Sequence, residues 1–271
     1  MGYYRYPPPP PLDRFVELLW VFQGAPGPHK MERLLPDGSV ELVINLHDPR
    51  IPVYDPRDVR RYNTFPPAIV CGPRSQFFVI DTASQRDVVG VHFKAGGAYP
   101  FLKLPSAEIC NLHVGLDTLW GRDAGQLRER LLEAGTPQAK VRILEETLLA
   151  KSAAPERHPA VGFALSQFRE ASQAQISDVT QRIGLSARRF IDLFQREVGL
   201  TPKLFCRVRR FQKVLRVIGS GCPVDWADIA VTCGYFDQAH FIHDFRAFSG
   251  INPSSFLADH TEHLNHVPIR D

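Results

Sequence analysis

The sequence predicts an α+β protein of two domains: an N-terminal β-rich barrel or sandwich followed by two helices, then an all-α domain of two helix–turn–helix units. Three observations predict it. At 271 residues the chain is long enough for two cores. Short apolar runs punctuated by Gly, Pro and Asp fill the first half. The second half has helical periodicity throughout, and one pattern in it occurs twice.

In the first half, Pro36-Asp37-Gly38 is a turn signal and Val40–Leu46 follows it as a strand. Ala68–Cys71, Phe77–Ile80 and Val88–Phe93 are further short strands between turn residues. A helix over about 123–134 places Leu127 and Leu131 on one face. A second begins at Thr136-Pro137, a cap followed by a first-turn proline, with Val141, Leu144 and Leu148 at helical spacing. The prolines Pro7–Pro11 read as an extended arm. Trp20, Phe77, Phe78, Phe93, Tyr99, Phe101 and Trp120 are spread over strand-like segments. They either fill a core or line a pocket for a small apolar or aromatic molecule.

The non-periodic, proline-bearing segment 152–159 reads as a linker. The expected organisation is a sensor or oligomerisation domain with closing helices over 1–151, the linker, a helical domain over 160–260, and a tail over 261–271. In the helical part Phe190, Ile191, Phe194, Gly199, Pro202 and Phe205 spell the same pattern as Phe241, Ile242, Phe245, Gly250, Pro253 and Phe256. Upstream, Ile176, Val179, Ile183 and Gly184 match Trp226, Ile229, Cys233 and Gly234. Two helix–turn–helix units follow, each with a turn glycine between a short and a longer helix. The longer helices cover about 187–198, capped by Ser186, and a stretch capped by Asp237. A connecting helix runs from about Pro202 to Ile218.

At 100° per residue, the first long helix buries Phe190, Leu193 and Phe194 and turns out Arg188, Asp192 and Gln195, with Ile191 on the flank. The second buries Phe241, Phe245 and Phe248 and turns out Ala239, His243 and Arg246, flanked by Gln238 and Ile242. Arg and Gln on an exposed face suit base edges in a major groove, and an exposed Ile suits a thymine methyl. Residues 182–216 hold ten Lys or Arg against two acids, whereas residues 1–157 are nearly neutral. That stretch is an electrostatic footprint for a polyanion. Ser186, Arg189, Lys203, Arg207 and Arg210 are its candidate phosphate contacts, with Arg209 and Lys213 nearby.

Ile176–Phe190, Phe194 through Pro202, Asp228–Phe236 and Phe245 through Pro253 resemble the DNA-binding domain of the AraC/XylS family of bacterial transcription regulators. The resemblance covers residues 160–260. It implies two helix–turn–helix units on adjacent major-groove segments of duplex DNA, sequence-specific binding, and an N-terminal domain that senses an effector or meets a partner. Ile191 and Ala239 stand where such helices often carry polar readers. Partners implied are duplex DNA, with RNA polymerase, a small-molecule effector and a second copy of the chain as further candidates.

Other chemistries find little support. His29, His47, His92 and His113 stand isolated, with no His-x-His pattern for a metal site. His240-x-x-His243 and His260-x-x-His263-x-x-His266 have ligand-like spacing, the latter on what reads as a frayed helix end. No metal or cofactor is expected, and no phosphate-loop, nucleophile-elbow or dinucleotide fingerprint occurs. Cys71, Cys110, Cys206, Cys222 and Cys233 form no Cys-x-x-Cys pair and read as free thiols of a reducing compartment. The best apolar stretch, Phe15–Phe22, contains Glu17 and falls short of the ~18 residues of a membrane span. A cytoplasmic, non-enzymatic protein is expected. The alternative is a DNA-binding module fused to an enzyme, such as Cys-based DNA repair, or to a purely dimerising domain.

Overall fold

The structure is a computed structural model that describes every residue except 1, 26–28, 153–156, 171–175, 222–223 and 271. Among the described residues eleven strands form two antiparallel sheets. One has six strands, in the order β1 (Gly2–Tyr6), β2 (Val16–Gln23), β9 (Asp87–Phe93), β4 (Glu41–Asn45), β7 (Ala68–Cys71) and β10 (His113–Gly115). The other has five, in the order β11 (His266–Ile269), β3 (Met31–Leu34), β8 (Phe78–Asp81), β5 (Ile51–Tyr54) and β6 (Tyr62–Phe65). The arrangement is a sandwich, not a closed barrel.

Strand β7 shows why this half reads as apolar runs. Every residue of it is buried, because both its faces are covered. Ile69 and Cys71 pack with Ile51 and Val53 between the sheets. Ala68 and Val70 face the larger core, beneath helices α1 (Tyr99–Leu102), α2 (Leu116–Trp120), α3 (Arg122–Glu133) and α4 (Pro137–Lys151). Leu127 and Leu131 on α3 and Val141, Leu144 and Leu148 on α4 supply that core, as their spacing predicts. Thr136 caps α4, accepting from the Ala139 amide at 3.2 Å. Of the rings read as either core or pocket lining, Phe93, Phe101 and Trp120 lie in the helix–sheet core. Phe77 packs instead against the core of the second half. The broad cleft of this domain has a mixed lining that includes His29, Met31, Asp48, Pro52, Tyr54 and Arg86.

The second half contains α5 (Pro159–Glu170), α6 (Ile176–Ile183), α7 (Ala187–Val198), α8 (Pro202–Gly219), α9 (Trp226–Thr232), α10 (Gln238–Ser249) and α11 (Pro253–Asp259). Of the expected linker 152–159, residues 153–156 lie outside those described. Among the described residues no helix is long and apolar enough to cross a membrane.

The expected frayed tail is a strand. Helix α11 ends at Asp259, and His266–Ile269 pairs antiparallel with β3 at the edge of the five-stranded sheet. Val267 is fully buried and, with Leu35, belongs to the core of the helical half. Glu32 of β3 meets His266 at 2.8 Å and His29 at 2.5 Å. The edge tolerates Pro268 because a proline amide has no hydrogen to donate to a neighbour. The chain therefore returns, after its helices, to fasten them to the first domain.

A second contact lies at the Pro36-Asp37-Gly38 turn. Gly38 (φ +80°) packs against Leu200, Phe205 and Val208, and Gln212 of α8 donates to the Pro36 carbonyl at 2.9 Å. A third is at Gly199, where any side chain would run into Pro73 and the Ser106 carbonyl. Beside the turn, His92 sits 3.1 Å from Asp37 and 3.7 Å from Glu41. Burial alone would lower the imidazole value, but the two carboxylates overcome that and hold it well above the usual range. Burial would raise Asp37, but His92 and the backbone hydrogen bonds of Ser39 and Asp37 together more than offset it and lower its value. A raised histidine value contributes stability that is complete below its unfolded value of about 6.5 and is lost as pH rises through the folded value. The lowered Asp37 value acts oppositely, its contribution being lost as pH falls through it. Thermal melts against pH are expected to decline on the alkaline side of the raised His92 value. His92→Gln is expected to remove that decline; an unchanged profile would refute the role of the pair.

Candidate nucleic-acid interface

Each helix–turn–helix unit is built from local signals. Gly184 (φ +73°) and Gly234 (φ +84°) make the turns, since their left-handed backbone is one that residues bearing a Cβ rarely adopt. Ser186 accepts the Arg189 amide at 3.3 Å to cap α7. Asp237 accepts the His240 amide at 2.7 Å to cap α10. Asp225 caps α9 by accepting the Ala227 and Asp228 amides at 2.8 and 3.1 Å. The repeated phenylalanines then lock each long helix. Phe194 lies 5.8 Å from Phe190, 5.9 Å from Phe168 and 5.6 Å from Phe205. Phe245 lies 5.8 Å from Phe241, 5.2 Å from Phe211 and 5.6 Å from Phe256. Helix α8 runs through both clusters, giving Phe205 to the first and Phe211 to the second. Its 18 residues span about 27 Å at ~1.5 Å each.

With one side of each helix locked, the other is fixed by the 3.6-residue period. On α7, Arg188, Ile191 and Asp192 are exposed and Gln195 is half-buried. On α10, Gln238, Ala239, His243 and Arg246 are exposed and Ile242 is half-buried. Ala239, Ile242, His243 and Arg246 line a shallow depression along that face. Leu193, expected in the buried stripe, is only partly covered. The two outward sets are thus presented as the periodicity predicts.

The basic candidates divide. Arg189 and Lys203 are exposed, and Ser186 is exposed beside them. Arg207 is instead paired with Asp244, Nη2 to Oδ1 at 2.6 Å and Nε to Oδ2 at 3.3 Å. Arg210 donates to the Gly234 carbonyl at 3.0 Å and lies over the Tyr235 ring at 5.1 Å. Lys213 donates to the Thr232 carbonyl at 2.6 Å. Three basic groups expected near phosphates therefore tie α8 to the second unit. Sequence reasoning also missed Phe236, which is 89% exposed immediately before the α10 cap. Its signal was the aromatic pair Tyr235-Phe236, of which only Tyr235 is needed for the core.

The described thiols are poorly suited to nucleophilic chemistry. Burial pushes Cys71 up to about 12 and Cys206 to about 11, and raises Cys110 and Cys233. A reactive thiol needs the opposite shift. Cys222 lies outside the described residues.

Residues 4–115 match a family described as Domain of unknown function (DUF6597), and residues 179–259 one described as Helix-turn-helix domain. No curated protein matches the sequence. Similar solved structures include ToxT from Vibrio cholerae, at 9% identity over 89% of this chain and 96% of that one, with a TM-score of 0.46. The same protein with an unsaturated fatty acid bound is 10% identical over 88% and 93%, TM-score 0.46. Bound to (E)-4-(8-methylnaphthalen-1-yl)but-3-enoic acid it is 11% identical over 95% and 99%, TM-score 0.46. At TM-scores under 0.5 these likenesses carry no argument about this chain. The two capped units, their repeated core and the family match over 179–259 make this half a helix–turn–helix domain.

Proposed function

We propose that the chain is a one-component regulator that reads duplex DNA with the outward faces of α7 and α10 and is controlled through its N-terminal domain. The observation that carries the reading is the pair of locked helices presenting Arg188, Ile191, Asp192 and Gln195 on one unit and Gln238, Ala239, Ile242, His243 and Arg246 on the other. Ser186, Arg189 and Lys203 are assigned to phosphates. Arg207 and Arg210 are left out of that set because their groups are engaged within the domain. Control is assigned to the N-terminal domain because three of its segments, the 36–38 turn, the Pro73 loop and β3, pack on the helices. An effector or partner that alters that packing would shift DNA affinity by about 1–3 kcal/mol, the usual range of allosteric coupling. RNA polymerase and a second copy of the chain complete the proposed partners. The site of action is the cytoplasm, where the DNA is, and no catalytic role is assigned.

Selection of duplexes from a randomised pool by the full chain tests the reading. Arg188→Ala is expected to relax preference at one position and to weaken the best site by about 1–3 kcal/mol. Lys203→Ala is expected to weaken all sequences alike and to lower the salt slope by about one. Identical profiles for the two variants would sink the division into base and phosphate contacts. Repeating the titrations with candidate metabolites tests control: a compound that binds yet leaves DNA affinity unchanged is not the effector.

A further inference from the structure

Phe236 is the most exposed large apolar side chain among the described residues, at 89%, and Val231 on α9 follows at 66%. The cores of this half take up other rings nearby: Tyr235 and Phe241 are buried at 5% and 0%. A single exposed ring is ordinary by itself and gains meaning only from its place. Its position identifies the contact. Phe236 immediately precedes Asp237, the cap of α10, whose carboxylate is taken up by the His240 amide. Recognition helices meet base edges with their N-terminal residues. The ring therefore stands at the leading edge of the face that carries Gln238, Ala239, Ile242 and His243.

The two units differ in chemistry along that edge. The first offers Arg188, Asp192 and Gln195, which donate to or accept from base edges, beside a single aliphatic chain, Ile191. The second offers an aromatic ring, a methyl and an aliphatic chain at 236, 239 and 242, with Ala239 and Ile242 in the shallow depression of α10. In the major groove the one apolar group a base presents is the C5-methyl of thymine. We propose that the second unit, beside its polar Gln238, His243 and Arg246, reads thymine methyl groups through Phe236, Ala239 and Ile242, whereas the first, with Ile191 as its one apolar group, reads base edges mainly by hydrogen bonding, so that thymine methyls count for more in one half-site than in the other. This rests on the DNA-reading assignment above.

Uracil tests it, because it keeps every hydrogen-bonding group of thymine and lacks only the methyl. The full chain is titrated with its best selected duplex, and with copies in which deoxyuridine replaces thymidine in one half-site at a time. The half-site whose preference survives Arg188→Ala is the second unit's. Replacement there is expected to weaken binding about fourfold per contacted methyl, the equivalent of the ~0.8 kcal/mol that burial of one such group contributes. Replacement in the other half-site is expected to weaken binding by no more than the one methyl that Ile191 can meet, about fourfold. Phe236→Ala, at a position outside the core, is expected to narrow the difference between thymine and uracil duplexes by about fourfold, the share of one methyl, while its melt stays that of the wild type. Intact DNA binding with no thymine preference in the second half-site overturns this proposal alone. So does a Phe236→Ala variant that keeps the whole preference undiminished, which would leave the ring as a surface for a protein partner. Failure of the wild-type chain to bind any duplex overturns the DNA reading with it.

Discussion

Phe245→Ala is expected to lower the stability of the helical half by about 3–5 kcal/mol and to abolish DNA binding by unfolding its second unit. The ring is fully buried, and rings from three helices close around it: Phe211 of α8, Phe241 of α10 and Phe256 of α11. Truncation leaves a cavity that none of these neighbours can fill without abandoning its own contacts. Phe194→Ala is expected to do the same to the first unit, where Phe168, Phe190 and Phe205 surround it. Losses of this size are a large share of the roughly 5–15 kcal/mol that holds a typical domain folded. Circular dichroism melts and titrations of the full chain check both. Native melting with DNA binding lost would mean that these rings are contact residues and not core, contrary to the packing described.

The helical half was legible because its determinants are local. The caps Ser186 and Asp237, the turns at Gly184 and Gly234, and the phenylalanines at fixed spacing all act within a few residues of the structure they specify. The repetition of the pattern removed the ambiguity any one copy would carry. In the first half the strands that announced themselves were those buried on one or both faces, such as β7 and β9, whose residues read as continuous apolar runs. Edge strands did not. In β1 the central residues Tyr3, Tyr4 and Arg5 face solvent, and in β11 Pro268 argues locally against a strand. What places β11 is its partner β3, more than 230 residues earlier in the chain. No pattern in four residues encodes that.

The candidate interface divides along the same line. Which residues α7 and α10 turn outward follows from the 3.6-residue period, and the structure presents those sets. Which of the basic residues remain available does not follow from charge density. Arg207 and Arg210 are committed to Asp244 and Gly234, 37 and 24 residues away. Phe236 lies outside any helix, so an argument from a helical face passes over it, although Tyr235 beside it already supplies the ring that the core requires.

Arg207→Ala is expected to unfold the second unit, not to remove a phosphate contact, and to lower stability by about 3–5 kcal/mol. The Asp244 side chain is only 2% exposed, and both its oxygens accept from the Arg207 guanidinium, which itself lies over Phe248 at 5.3 Å. Without Arg207 the carboxylate is left in the core with only the imidazoles of His240 and His243 nearby, at 3.8 and 3.9 Å. Asp244→Ala should be milder, because Arg207 is 31% exposed and its long side chain can turn to water. Replacing both by apolar residues of similar length, Arg207→Met with Asp244→Leu, is expected to recover most of the loss, since no buried charge then lacks a partner. The deciding measurement pairs a thermal melt with the salt dependence of DNA affinity. A phosphate-contacting arginine would leave the melt unchanged and reduce the salt slope by about one when removed. The geometry described predicts the reverse: a melt sharply lowered by Arg207→Ala, and a double variant that regains both its melt and the wild-type salt slope.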